Sequence, residues 1–209
     1  MPHRSSQFDR KGPRYKAQPR VLILCEDTKS SRYYLQEAAI YFRSHALVEI
    51  SHSGKNDPLS IVQAAIRRKL QYEVVYCAID RDSHEKFHEA VHLASTTGGR
   101  VRVIASYPCY EFWLLLHFRY TRRPYVGIGK QSAADLVLKD LKKEVGMHNY
   151  EKGTSVSPFH LLLEHLPRAR DHATRAMAQS IADQSANPST MLHELIKQLE
   201  QLGSPQPIR

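Results

Sequence analysis

The stretch Val21-Leu-Ile-Leu-Cys-Glu26 decides the fold of this 209-residue chain. Its apolar run is too short for a helix and has no polar face, which is the pattern of a central strand in a parallel sheet. An acid follows at once, at the end of the strand where open parallel sheets bind their ligands. The stretch therefore predicts an α/β fold and indicates the edge of the sheet that carries the chemistry.

Further strands and helices alternate after this first strand. Strands are predicted at residues 46–50, 73–79 and 101–106, and helices at 33–42, 58–70, 83–95 and 110–118. Pro58 is well placed to begin one helix, and the Gly98-Gly99 turn ends another. This alternation predicts a parallel sheet flanked by helices on both faces.

After residue 120 the predicted strands stop, and only helices are predicted. A connector at 121–131 leads to a C-terminal helical extension, with helices predicted at 132–145, 157–184 and 188–202. The last helix is predicted to begin at Asn187-Pro-Ser-Thr190, because these residue types commonly start helices. We therefore divide the chain into a basic flexible tail (1–19), an α/β domain (20–120), the extension (121–203) and a short tail (204–209).

The charge of the chain favours a polyanionic partner. It carries 30 Lys and Arg against 21 Asp and Glu, a formal net charge of +9. More than half of the excess lies in residues 1–20, where six basic residues stand against Asp9. Such a tail either contacts nucleic acid or serves only as a solubilising extension.

Cysteine usage and hydropathy indicate a cytoplasmic protein. Cys25, Cys77 and Cys109 are odd in number and form no CxxC pair, so we expect buried reduced thiols and neither disulfides nor a cysteine-ligated zinc. No apolar stretch approaches the roughly 18–20 residues that cross a bilayer. The opening residues also lack the apolar segment of a secretory signal. We expect no membrane partner.

Acids stand at the ends of two predicted strands. Glu26 ends the first, and Asp80 and Asp82 end the strand at 73–79. Carboxylate oxygens suit Mg²⁺ or Mn²⁺, and the carboxyl ends of parallel strands meet at one edge. Glu26 is then a third ligand or a general acid/base.

An Asp-x-Asp pair alone is weak support, because turns use Asp freely. A haloacid-dehalogenase phosphatase would place the pair on its first strand and a Thr where His84 stands. A glycosyltransferase would need more chain for a nucleotide-sugar domain. A phosphate-binding P-loop and a GxSxG elbow are both absent from the sequence.

Several stretches resemble the RloB family. They are residues 23–29, 78–84, 187–190 and the block Tyr107-Pro-Cys-Tyr-Glu111-Phe-Trp-Leu-Leu-Leu-His-Phe118. Proteins of this family are small, have a Toprim-like core, and are linked to phage defence and restriction-modification loci. Asp27, Ser31 and Tyr107 depart from the family's usual Gly, Glu and Asn.

The resemblance implies Toprim chemistry. Glu26 would act in acid/base catalysis or metal binding, Asp80 and Asp82 would hold Mg²⁺, and Glu111 would be a fourth acid near the metal. Glu111 could instead satisfy backbone donors at the start of a helix. Lys29 is a candidate for holding the scissile phosphate, or else a solvated surface lysine. His84 is a candidate for positioning water or substrate, or else part of an exposed helix face.

The expected function is Mg²⁺-dependent cleavage of DNA or RNA, tRNA included, in anti-phage defence. Arg81, Lys55, Arg122 and Arg123 are the predicted nucleic-acid contacts. The alternative is a non-catalytic subunit that binds nucleic acid or a partner ATPase resembling RloA. The sequence leaves the oligomeric state open.

Overall fold

The computed structural model describes residues 17–81, 84–153 and 156–204. The first half contains β1 (Val21–Cys25), α1 (Ser30–Tyr41), β2 (Val48–His52), α2 (Pro58–Arg68), β3 (Val74–Asp80), α3 (Phe87–Ser95), β4 (Val101–Tyr107) and α4 (Glu111–Leu115). The second half contains α5 (Ala133–Leu141), α6 (Phe159–Leu162), a 3₁₀ turn (Leu163–His165), α7 (Leu166–Ala182), β5 (Ser189–Thr190) and α8 (Leu192–Leu202).

The strands form one sheet in the order β2-β1-β3-β4-β5. The first four are parallel, and β5 pairs antiparallel with the end of β4. Helices flank the sheet, and a helix ends the described chain. The predicted α/β class, with its mostly parallel sheet and C-terminal helix, is confirmed.

The strands of the sheet are buried on both faces. Val21, Ile23 and Cys25 contribute to one hydrophobic cluster, while Leu22 and Leu24 contribute to a second cluster on the other face. The first cluster also contains residues of α1, α4 and every helix from α5 to α8. The helices after residue 120 therefore share a core with the first strand.

The prediction of one helix over 188–202 is wrong at its start. Ser189 and Thr190 form β5, and α8 begins at Leu192. The edge of β4 explains the difference, since its backbone groups need partners. The Met191 amide donates to the Ala105 carbonyl at 2.9 Å, and the hydroxyls of Ser106 and Thr190 lie 2.8 Å apart.

The helix predicted over 157–184 is also divided. It consists of α6, the 3₁₀ turn and α7, and α7 has Pro167 in its first turn. Proline has no N–H for an interior helical hydrogen bond and is tolerated at the first turn, so a new helix begins there. Two other predicted helices are shorter than expected. The helix predicted at 83–95 begins at Phe87, and the one predicted at 110–118 spans only Glu111–Leu115.

The three cysteines are free and buried, as predicted. Trp113, in the block that resembles the RloB family, is fully buried. None of the helices within the described residues is long and apolar enough to cross a membrane.

Two isoleucines test the packing of the C-terminal helices on the core. Ile196 of α8 is fully buried, whereas Ile181 of α7 is 74% exposed. We expect Ile196→Ala to lower the free energy of unfolding by about 2–5 kcal/mol, because it removes buried methyl groups and leaves a cavity. Ile181→Ala should change it by less than about 0.5 kcal/mol. Equal urea midpoints for the two variants would contradict the packing of α8.

Candidate metal and active site

The neighbouring strands β1 and β3 bring Glu26 to Asp80. Cys25 pairs with Ala78 across the two strands, and the Glu26 amide donates to the Ala78 carbonyl at 3.1 Å. The Asp80 amide in turn donates to Glu26 Oε2 at 2.9 Å. The Glu26 carboxylate thus satisfies the backbone at the end of β3, which keeps the first two predicted acids together.

The side chain of Asp80 connects β3 to the start of α4. Its Oδ1 accepts a hydrogen bond of 2.8 Å from the Tyr110 amide. Glu111 is the next residue and the first of α4. One carboxylate therefore positions another at the same edge of the sheet.

Glu111 is a buried acid, with only 1% of its side chain exposed. Its Oε1 accepts a long hydrogen bond from the hydroxyl of Tyr150 at 3.5 Å. Its Oε2 is buried and accepts no hydrogen bond from any described residue. A buried carboxylate oxygen without a donor is costly, so this atom is a strong candidate for binding a cation.

Lys152 also belongs to this site, and the sequence analysis missed it. Its Nζ lies 3.8 Å from Asp80 Oδ2 and 3.8 Å from Glu111 Oε2. The Gly153 amide donates to Ser30 Oγ at 2.8 Å, which fastens this part of the chain to the start of α1. No local pattern identifies Lys152, because only the tertiary fold brings residues 150–153 back to the acids.

The acids share a buried, negatively charged environment. Burial, followed by repulsion from Glu111, raises the pKa of Asp80 well above its ordinary value. Burial is also the main cause that raises the pKa of Glu26. Burial lowers the pKa of Lys152, but attraction to Glu111 and Asp80 outweighs it, so the net shift is upward. The cluster thus favours a bound positive charge.

His84 and Lys29 are the other two predicted catalytic residues. His84 Nε2 is 3.6 Å from Glu26 Oε1, so the structure brings this histidine to the predicted acid/base. The Lys29 amide donates to Asp27 Oδ1 at 2.9 Å just before α1, and the lysine is exposed. Lys29 thus stands near Glu26 along the chain, with its side chain in solvent.

The predicted nucleic-acid contacts divide into two groups. Arg81 follows Asp80, and its guanidinium lies 5.0 Å from the ring centre of Tyr107 and 5.2 Å from that of Phe87. These three residues line a cavity of about 410 Å³ beside β4. Lys55 is exposed in the loop after β2. Both Arg81 and Lys55 follow strand ends at the edge that carries the acids.

Arg122 and Arg123 have partners within the chain. Arg122 donates to Asp183 at 2.7 Å and to the carbonyl of Ser185 at 2.9 Å. Arg123 donates to Asp140 at 2.7 Å. The structure therefore gives both arginines a role in tying the connector to the C-terminal helices.

The donor chemistry fits a hard divalent cation. Asp80, Glu111 and Glu26 supply carboxylate oxygens, the ligands that Mg²⁺ and Mn²⁺ prefer, and Glu111 Oε2 has no hydrogen-bond donor. Among residues 17–81, 84–153 and 156–204, no three His, Cys, Asp or Glu side chains are grouped closely enough to form a metal site as they stand. Asp82, the other predicted ligand, lies outside the described residues.

A family model described as RloB-like protein matches residues 21–199. The match covers both the sheet and the C-terminal helices, and it includes every acid of the site. Comparisons with curated proteins and with solved structures find no match.

Asp80→Asn should stabilise the metal-free protein at alkaline pH. A carboxyl group with a raised pKa in the fold opposes folding once it ionises, so its cost appears as the pH rises above the ordinary value and is absent below it. We expect the Tm of the variant to be a few degrees higher than that of wild type at pH 8 in EDTA. For a chain of this size, each kcal/mol of unfolding free energy shifts the Tm by about 2–4 °C. The gain should vanish as the pH falls toward 4.

Asp140→Asn is the matched control with the opposite sign. Burial raises the pKa of Asp140, but hydrogen bonds from Lys143 and Tyr125 outweigh it and lower the pKa. This variant should therefore melt below wild type at pH 8. If Asp80→Asn also lost stability at pH 8, the attraction of the wild-type Asp80 carboxylate to the Tyr110 amide and Lys152 would outweigh the repulsion that we infer. Thermal melts from pH 4 to 8 decide between the two.

Proposed function

The chain belongs to the RloB-like protein family, and on that premise we propose that it is a divalent-metal-dependent nuclease. It would cut phosphodiester bonds in DNA or RNA, tRNA included, as part of cytoplasmic anti-phage defence. The observation that carries the proposal is the buried Glu111 oxygen without a hydrogen-bond donor, beside Asp80 at the sheet edge. The Toprim-like character of the core is part of the same proposal.

A structural explanation of these acids is weaker. Glu26 and Asp80 each accept a backbone amide, which neutral side chains would also do. Burying the remaining carboxylate oxygens of Asp80 and Glu111 next to each other destabilises the fold. A purely structural role therefore does not explain them. Raised pKa values that arise from burial and like charge at a ligand-binding edge are typical of active sites.

Asp80 and Glu111 would hold the metal, together with the predicted ligand Asp82, and Glu26 would either complete the metal shell or transfer a proton. A divalent ion bound there would neutralise phosphate charge and lower the pKa of a bound water. The protein supplies the rigid placement: Asp80 is held by the Tyr110 amide, and Glu26 by the Asp80 amide. This preorganisation keeps the oxygens in place before a substrate arrives.

Glu26 and His84 form the proposed proton-transfer pair. Their side chains approach to 3.6 Å, within reach of a shared proton after a small adjustment. Burial raises the pKa of Glu26 above its ordinary value, which makes its carboxylate a better proton acceptor. Glu26 Oε2 is anchored to the backbone, so Oε1 is the atom that can exchange a proton.

The basic residues near the site suit a nucleic-acid strand. Arg81 directly follows Asp80 in the chain, and its guanidinium lies 5.0 Å from the ring centre of Tyr107. This positive charge at the end of β3 could neutralise a phosphate of a bound strand. Lys55 and Lys29 are exposed after the ends of β2 and β1. The net charge of +9 supports binding to a polyanion.

Cleavage assays with Mg²⁺ or Mn²⁺ test the proposal. Plasmid DNA, single-stranded DNA and total RNA should be offered to wild type and to Asp80→Ala, Glu26→Gln and Glu111→Gln. We expect each substitution to lower the cleavage rate by about 10²-fold or more, the scale of losing a proton-transfer group or a charge-stabilising partner. EDTA should abolish cleavage of the sensitive substrate.

Glu164→Gln is the control, because Glu164 is an exposed acid outside the site. Its rate should equal that of wild type. Cleavage that survives Asp80→Ala would rule out this site as the nuclease centre. If no substrate is cut, with or without a co-purified ATPase, while the chain retains RNA or the ATPase, the non-catalytic subunit is the better description.

A further inference from the structure

Lys152 occupies a position that a cation would be expected to take. Asp80 Oδ1 and Glu111 Oε1 face the Tyr110 amide and the Tyr150 hydroxyl. The other oxygen of each carboxylate faces the Lys152 ammonium, and both distances are 3.8 Å. These are ion-pair distances, longer than the 2.7–3.2 Å of a direct hydrogen bond. The ammonium thus lies between the two carboxylates as a shared counterion.

The backbone on both sides of Lys152 is fastened to the site. Tyr150 is buried and donates to Glu111, and the Gly153 amide donates to the buried Ser30. Gly153 has φ +80°, a left-handed conformation that glycine adopts without strain. The fixed neighbouring residues therefore place Lys152 beside the acids, although about half of its side chain is exposed.

We propose that Lys152 takes the place of a second divalent ion. It would hold Asp80 and Glu111 in position so that the chain binds one divalent cation rather than two. The inference rests on the proposed metal-dependent function. Lys152 is here a positioning residue, acting through the two carboxylates.

The charges of the cluster support a single ion. The carboxylates of Glu26, Asp80 and Glu111 together carry −3 when ionised, and Lys152 reduces this to −2, the charge that one divalent ion balances. Counting Asp82 from the sequence gives −3, still short of the four positive charges of two ions. A lysine also supplies a positive charge to the pair at a fixed place, without the loss of water ligands that Mg²⁺ resists.

A lysine that contacts only the substrate is the rival explanation. It would affect the KM for nucleic acid and leave metal binding unchanged. Lys152 lies within ion-pair distance of both predicted ligands, Asp80 and Glu111, which favours a role in metal stoichiometry. The deciding measurement is therefore metal binding by the full chain without nucleic acid.

Mn²⁺ binding should be measured by calorimetry and by electron paramagnetic resonance of free Mn²⁺. We expect wild type to bind one ion per chain, and Lys152→Met to bind two, or a second at least about tenfold more tightly than wild type does. Lys152→Arg should still bind one. Without metal, Lys152→Met should have a lower Tm than wild type, and saturating Mn²⁺ should raise its Tm by more than it raises that of wild type.

Lys143→Met is the matched control. Lys143 pairs with the buried Asp140 at 2.8 Å, away from the proposed ligands. Its removal should lower the Tm as well, but Mn²⁺ should give this variant no more than the wild-type gain. Lys152→Gln provides a second test if Lys152→Met fails to fold, with the same expected stoichiometry.

Two ions bound by wild type would overturn the inference. So would a Lys152→Met or Lys152→Gln protein whose stoichiometry and Mn²⁺-dependent Tm match wild type. If wild type bound no ion and Lys152→Met bound one, the metal-dependent function would fail while the lysine's place as a substitute cation would be supported. If no form bound Mn²⁺, both proposals would fail.

Discussion

The hydrogen bond from the Asp80 amide to the Glu26 carboxylate is the interaction on which the site depends. It exists because β1 and β3 are parallel neighbours whose carboxyl ends meet at one edge. With Glu26 satisfying the end of β3, the Asp80 side chain is available to the Tyr110 amide, and this bond places Glu111 at the start of α4. Glu26 is thus held by the backbone of Asp80, and Asp80 by the backbone next to Glu111.

The same chain of bonds explains why the α/β part does not complete the site alone. Residues 150–153 come from beyond α5, yet Tyr150 and Lys152 contact Glu111, and Gly153 bonds to Ser30. The helices after residue 120 also share the hydrophobic cluster that covers one face of the sheet. The packing of these helices against the sheet therefore determines whether the acids have a cationic neighbour.

Much of this arrangement could be predicted from the sequence, because it is local or follows from parallel strands. The apolar run before Glu26 and the run before Asp80 were enough to predict a buried sheet with acids at one edge. Other features depend on long-range contacts. Ser189 and Thr190 form a strand only because the edge of β4 is available. The hydrogen bonds of Arg122 to Asp183 and to the carbonyl of Ser185 join parts of the chain that are distant in sequence, so no local pattern indicates them. No motif in the sequence around Lys152 marks it as a residue of the site.

Repulsion between the buried acids of the site destabilises the fold, and a neighbouring positive charge relieves it. Asp80 and Glu111 are close enough for the charge of Glu111 to raise the pKa of Asp80, and burial weakens the screening that water would provide. A monovalent ammonium 3.8 Å from each carboxylate relieves this repulsion only in part, since two negative charges remain against one positive. The net charge of the two carboxylates and the ammonium therefore stays negative when all three are ionised. Lys152 thus compensates the pair in part, and the charge that it leaves is the basis of our proposal that one divalent ion binds here.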